Sequence, residues 1–210
     1  MSSIEQLNLF DGDEHDQLPS LQVAAFESVS RHQLDDDSWI THVHGLVAGD
    51  VALMQQLGAL PGWEQRSRWM YDRNVLEPRL TNEFHDVSRA PGFLVTLTEA
   101  LSDYCDVPYD SIWLNWYRDE RESTSWHADR PANEPETAVV PVVSLGATRR
   151  FLIRPNGGGS SVAFTPAGGD VIIMGGRCQR DWQHCVPKQR ARAGGRISLN
   201  FNSSAQVRAG

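Results

Sequence analysis

At 210 residues the chain is long enough for one sizeable core and too short to need a second. Its hydrophobic content of 40% is that of an ordinary globular protein, and no apolar run approaches the roughly 18 residues of a membrane span. A net charge of −8 excludes a protein that coats nucleic acid by charge alone.

Residues 1–18 read as a flexible acidic tail ending near Asp11-Gly12-Asp13-Glu14-His15-Asp16. The start, Met1-Ser2-Ser3-Ile4-Glu5-Gln6, has neither the basic residues nor the apolar block of a secretory signal. Cys105, Cys178 and Cys185 form no C-x-x-C, so reduced thiols in a cytoplasmic protein are expected. Residues 19–110 read as an N-terminal extension carrying a lid and supporting helices. Within it, 38–44 alternates as a strand does. Asp50 stands where an N-cap should, before Val51, Leu53, Met54 and Leu57, with Gly58 at the helix end. Residues 62–90 read as irregular, rich in aromatics and arginine. Phe93, Leu94, Leu97 and Leu101 make an apolar stripe on a helix over 91–103.

From residue 111 the pattern changes to short strands, expected over 112–117, 138–145, 150–153, 161–165, 170–174, 182–185 and 196–202. Between them Asn156-Gly157-Gly158-Gly159, Ala167-Gly168-Gly169 and Gly194-Gly195 read as hairpin turns. Such strands predict a mainly β fold with flanking helices, a sandwich or jelly roll, with its core at 111–204 and a short tail at 205–210. Residues 177–196 hold six basic side chains against Asp181 alone. With Arg149, Arg150 and Arg154 they would make a basic face for phosphates; the alternative is a solvated loop.

His127 and Asp129 form an H-x-D pair, and His184 follows 57 positions after His127. Residues i and i+2 of an extended segment point to one side, so both members of the pair can reach one ion. Two imidazoles and a carboxylate are the usual ligands of a non-haem Fe(II) that activates O2, although catalytic zinc uses the same set. Such an oxygenase needs electrons from a co-substrate. A dicarboxylate keto acid would chelate the metal and call for a cation at its far end. Arg196, opening the last strand, can supply a bidentate fork, and Asn115 and Tyr117 neutral hydrogen bonds. The alternative is that Arg196 pairs at a sheet edge and Tyr117 fills the core.

Leu114-Asn115-Trp116-Tyr117, Trp126-His127-Ala128-Asp129, Val143-Ser144-Leu145-Gly146, Gly169-Asp170-Val171-Ile172-Ile173-Met174-Gly175-Gly176, His184-Cys185-Val186-Pro187-Lys188 and Arg196-Ile197-Ser198-Leu199-Asn200-Phe201 together resemble the AlkB family of iron and 2-oxoglutarate dioxygenases. The resemblance implies a double-stranded β-helix, Fe(II), 2-oxoglutarate and O2, and oxidative removal of alkyl groups from bases of DNA or RNA. It implies that His127, Asp129 and His184 hold the metal and are catalytic, and that Asn115, Tyr117 and Arg196 hold 2-oxoglutarate. One position departs from it. The family carries a second arginine six residues after the first, and here that residue is Asn202, which can donate hydrogen bonds but brings no charge.

Arg66-Ser67-Arg68-Trp69-Met70-Tyr71-Asp72-Arg73 lies where the resembling family places a substrate lid. Trp69 and Tyr71 are candidate stacking platforms for a flipped or unpaired base, Arg130 a candidate base or phosphate contact, and Arg66, Arg68, Arg73 and Arg79 candidate phosphate contacts. The alternative for Trp69 and Tyr71 is packing within the lid. Gln6-Leu7-Asn8-Leu9-Phe10 resembles the short peptides by which bacterial repair proteins bind the sliding clamp: Gln6, Leu7, Leu9 and Phe10 would enter a preformed groove. The expected protein is thus a monomeric dealkylating dioxygenase. An oxygenase of protein or small molecules, and a silent nucleic-acid-binding module that tolerates Asn202, are the alternatives.

Overall fold

Short strands build two large antiparallel sheets and two small two-stranded ones in the computed structural model, which describes residues 18–70, 72–130 and 132–208, the side chains of 68–70 excepted. The N-terminal half contains β1 (Ser20–Leu21), β2 (Val29–Gln33), β3 (Ser38–Val43), β4 (Val47–Ala48), helix α1 (Asp50–Gly58), β5 (Ser67–Met70), β6 (Arg73–Leu76), β7 (Leu80–Phe84) and helix α2 (Gly92–Cys105). The rest contains β8 (Ser111–Tyr117), β9 (Thr124–His127), β10 (Val140–Gly146), β11 (Phe151–Pro155), β12 (Val162–Phe164), β13 (Val171–Gly176), α3 (Cys178–Asp181), β14 (Trp182–Val186), β15 (Arg196–Asn202) and α4 (Ser204–Arg208).

The larger sheet runs β2-β3-β13-β10-β15-β8-β7 and the smaller β12-β11-β14-β9, while β1-β4 and β5-β6 are the two-stranded ones. After residue 111 the chain crosses from one large sheet to the other at every connection except the β11–β12 hairpin. Their central four-on-four arrangement, β13-β10-β15-β8 over β12-β11-β14-β9, is the expected jelly roll. The N-terminal segment is built into it, because β2 and β3 extend one edge of the large sheet and β7 the other.

Alternation decides which side chains face which layer. On β10 and β13, Val143, Leu145, Val171 and Ile173 join Ile197, Leu199 and Phe201 of β15 against Leu53 and Leu57 of α1 and Leu94, Leu97 and Leu101 of α2. The other parity, Val140, Val142, Ile172 and Met174, packs with Phe151, Ile153, Trp182 and Val186 of the small sheet. On β15 that inward parity is Arg196, Ser198, Asn200 and Asn202, which oppose Tyr117, Asn115, Trp113 and Ser111 of β8. A largely polar row turned between two sheets is where a ligand, rather than a hydrophobic core, is accommodated.

Several expectations are corrected. Residues 62–90 are not irregular: they form the β5–β6 hairpin, β7 and a short 3₁₀ turn. Asp50 is not the N-cap of α1, which is Gly49 in the left-handed conformation at φ 67. The Asp50 carboxylate instead accepts from the Gly146 N–H at 2.7 Å, tying the helix to β10. Of the three glycine runs only Asn156–Gly159 joins paired strands; the other two carry the chain from the small sheet to the large. Arg149 is absent from any basic face. It is 1% exposed and clasps the carbonyls of Asp119, Glu122 and Pro187. Tyr71, and Gln6, Leu7, Leu9 and Phe10 of the tail, lie outside the described residues. Among those described, no helix is long and apolar enough to cross a membrane.

Candidate metal centre and substrate cleft

β9 and β14 are neighbours in the small sheet, and His127 pairs directly with His184 across them. Their rings therefore stand side by side, centroids 4.3 Å apart. Asp129 lies just past the end of β9, and its Oδ1 is 3.6 Å from His127 Nε2 and 3.5 Å from His184 Nε2. The ligand-type atoms of all three lie within 4.8 Å of one another. Ligands that neighbour each other around an ion with bonds of about 2.1 Å are spaced by about 3.0–3.4 Å. This donor set and spacing fit a divalent transition metal.

The surroundings prepare those atoms. His127 Nδ1–H donates to the Ser125 carbonyl at 2.8 Å, which orients the ring with Nε2 toward Asp129. Phe151 stacks on the His184 ring, centroids 5.3 Å apart. Gln179, on the one-turn helix α3, accepts from the Asp129 N–H at 2.8 Å through Oε1 and donates to Asp129 Oδ2 at 3.2 Å through Nε2. Oδ1 is thereby left to face the imidazoles. Burial alone would keep the Asp129 acid neutral, but the adjacent His184 and His127 hold its carboxyl far below the usual range. Burial likewise pushes the His184 imidazole down, against the pull of Asp129.

Arg196 opens the polar row and is 1% exposed. Its Nη2 donates to Ser144 Oγ at 2.9 Å, while Nε and Nη1 are buried with no partner among the described residues. Burial brings its pKa down to about 10, so the guanidinium stays charged at neutral pH. A buried cation with unmet donors is costly, and a carboxylate accepting from Nη1 at the end of the guanidinium is a group that offsets part of that cost. The Tyr117 ring lies 5.5 Å from the guanidinium carbon, and its hydroxyl bonds Thr124 Oγ1. The residues present thus fit a dicarboxylate beside a metal.

Beside this centre opens a cleft of about 1040 Å³, lined among others by His127, Asp129, Gln179, Asn115, Asn202 and Trp113. His184, Tyr117 and Arg196 lie outside its lining. Asn115 is already engaged, its Oδ1 accepting from Arg79 Nε at 2.7 Å and Trp113 Nε1 at 3.0 Å. Asn202 donates weakly to the Asn200 carbonyl at 3.4 Å. Arg79 is 8% exposed and paired with Glu77 at 3.0 Å, so it is built into the wall and is not a free phosphate contact. Arg66 lies over the Trp113 ring at 4.2 Å. Arg130 and Arg180 are exposed on the cleft's edge. The backbone of Trp69 pairs with Asn74 in the β5–β6 hairpin; its side chain and Tyr71 lie outside the described residues. Gln179 and Trp113 were not foreseen, and only the fold brings them to the site.

Residues 34–201 match the family model described as the 2OG-Fe(II) oxygenase superfamily. The chain is 30% identical over 175 residues to the mouse (Mus musculus) alpha-ketoglutarate-dependent dioxygenase alkB homolog 3, a match covering 72% of this chain and 60% of that protein. Over 116 residues it is 29% identical to the DNA oxidative demethylase ALKBH2 of Arabidopsis thaliana, covering 44% of this chain and 37% of that one. The solved structure of OsALKBH1 superposes with a TM-score of 0.60 at 16% identity, over 83% of this chain and all of that chain, which is a likeness of fold. The chain spans about 60% of the length of the alkB homolog 3 relatives it matches.

Proposed function

Because the chain belongs to the 2OG-Fe(II) oxygenase superfamily, we propose that it removes N-alkyl groups oxidatively from bases of DNA or RNA, as a cytoplasmic monomer. The observation that carries the reading is the convergence of His127, Asp129 and His184, the first two lining a polar cleft, in a fold that also buries the unmet donors of Arg196. Similarity to proteins named as alkB homologues and as a DNA oxidative demethylase directs it to nucleic acid.

On this reading His127, Asp129 and His184 hold Fe(II), and Gln179 aims the carboxylate. Arg196 and Tyr117 receive the distal carboxylate of 2-oxoglutarate. Asn115, fixed by Arg79 and Trp113, presents its amide from the cleft wall, and Asn202 offers a neutral donor at the cleft where the family has an arginine. The metal with its co-substrate supplies oxidation by O2, 2-oxoglutarate leaving as succinate and CO2. The C–N bond of the hydroxylated N-alkyl carbon then breaks, its electron pair returning to nitrogen and the hydroxyl proton going to solvent as the carbon leaves as an aldehyde. A base stacked in a duplex cannot reach this centre, so it enters flipped or unpaired. The β5–β6 hairpin serves as its lid, with Trp69 and Tyr71 stacking on it and Arg130 meeting its phosphate or edge.

The test is a panel of alkylated oligonucleotides incubated with Fe(II) and 2-oxoglutarate, reading formaldehyde and succinate. Equimolar release is expected from at least one lesion and none from His127→Ala; undiminished turnover by that variant would refute the reading. As a further part of the proposal, residues 6–10 dock on a bacterial sliding clamp. A peptide of residues 1–16 should bind immobilised clamp and lose binding with Leu9→Ala and Phe10→Ala, and silence at tens of micromolar counts against it.

A further inference from the structure

A second group of ligand-type side chains lies on the β3–β13 pair of the large sheet, formed by His42, His44 and Asp170. His42 is on β3 and His44 just beyond its end; their rings are 3.8 Å apart. Asp170 immediately precedes β13, opposite this turn of chain. Both imidazoles address one carboxylate oxygen: Asp170 Oδ2 lies 2.9 Å from His42 Nε2 and 3.4 Å from His44 Nδ1.

That carboxylate is held independently of the histidines. Its Oδ1 accepts from the Gly45 N–H at 2.8 Å, and Oδ2 also accepts from the Ala167 N–H at 3.0 Å. Burial opposes its ionisation, yet the bonds from His42, Gly45 and Ala167 hold the carboxyl below the usual range. The Asp170 and His42 side chains are 7% and 12% exposed, whereas His44 is 57% exposed, so one side of the cluster faces solvent. Around a tetrahedral ion with bonds of about 2.0–2.1 Å, neighbouring ligand atoms stand about 3.3 Å apart. The two measured separations, 2.9 and 3.4 Å, bracket that spacing.

We propose that His42, His44 and Asp170 form a second metal site, distinct from the His127–Asp129–His184 centre, which takes Zn2+ or a similar borderline divalent cation with water as the fourth ligand. Two nitrogens and one carboxylate suit this class, and they offer too few oxygens for Ca2+ or Mg2+. His42 Nε2 now carries the proton it donates to Asp170. For that nitrogen to bind the ion, its proton would have to leave Nε2, as it does when the imidazole's proton sits on Nδ1. The ion would clasp β3, contributed by the N-terminal segment, to β13 of the β-helical core.

The experiment is calorimetric titration of the full chain, stripped of metal, with Zn2+, repeated by absorbance with Co2+. Two equivalents are expected for the wild-type chain and one for His127→Ala/His184→Ala. One is also expected for His44→Ala, whose exposure makes it safe for the fold, and none when all three changes are combined. Zn2+ should raise the unfolding temperature of His127→Ala/His184→Ala, and adding His44→Ala should abolish the rise. A single equivalent in the wild-type chain, or a His44→Ala titration indistinguishable from wild type, overturns the site. Neither readout depends on turnover, so failure here leaves the oxygenase reading untouched.

Discussion

Gln179 separates holding a carboxylate from aiming it. Its amide takes both the Asp129 N–H and Oδ2, so the carboxylate can turn only one oxygen toward the imidazoles. Gln179→Leu keeps a side chain of similar size but removes both bonds. Metal affinity should fall about 10–100-fold, as it does when outer-shell partners are lost. Fe2+ or Co2+ titration at fixed pH reads this, with urea unfolding of the metal-free protein alongside; unchanged affinity would show that Asp129 needs no such support. The three metal-ligand candidates were legible in the sequence because each brings a donor type, and H-x-D needs only local extended geometry. Gln179 was not, because an amide 50 positions from its partner belongs to no local pattern. Arg196 was legible as a cation. Its unmet donors became visible only once Ser144 and the Tyr117 ring were placed around it.

β3 and β13 pair over six residue positions, closing at Gly175 opposite Trp39 and Gly176 opposite Ser38. A Cβ on Gly175 would come within 2.2 Å of the Trp39 ring, so the indole occupies space that any side chain would need. Gly175→Ala should therefore cost about 1–3 kcal/mol through overpacking. Gly157→Ala, in an open turn with nothing within 4 Å, should stay within about 0.5 kcal/mol of wild type. Equilibrium urea unfolding of both variants checks the contrast, and equal midpoints would remove the steric argument. Glycine's two uses also explain what the sequence reading missed. A glycine run marks a bend but not which sheet the next strand joins, so Gly168-Gly169 and Gly194-Gly195 were mistaken for hairpins. Conversely the β5–β6 hairpin was overlooked because Asp72, not glycine, takes the positive φ of 58° in its turn. The core strands were easy to read, since β10 and β13 are continuous buried runs and β15 alternates apolar with polar.

A net charge of −8 and a nucleic-acid substrate are compatible only if positive charge is concentrated where phosphates pass. The cleft shows such a concentration at one margin. Arg79 is committed to Glu77, and Arg66, half exposed, leans toward Glu83 at 3.8 Å, whereas Arg130 and Arg180 stand exposed on the cleft's edge. Among the described residues the Arg180 guanidinium donates to the Glu134 carbonyl, at 3.3 Å. Of the basic face inferred from composition, Arg149 and Arg196 drop out because they are fully buried, while Arg150, Arg180, Lys188, Arg190 and Arg192 stay exposed; composition counts charges without saying which are exposed. Exchanging Arg130 and Arg180 for glutamine should then weaken single-stranded oligonucleotide binding while leaving 2-oxoglutarate affinity unchanged. If each neutralises one phosphate, the salt slope of log K should become shallower by about 1.4, since each phosphate contributes about 0.7 on a single strand. Fluorescence anisotropy across a salt series measures it. A slope identical to wild type would place the nucleic-acid backbone on some other face, and with it the direction from which a base descends to His127 and Asp129.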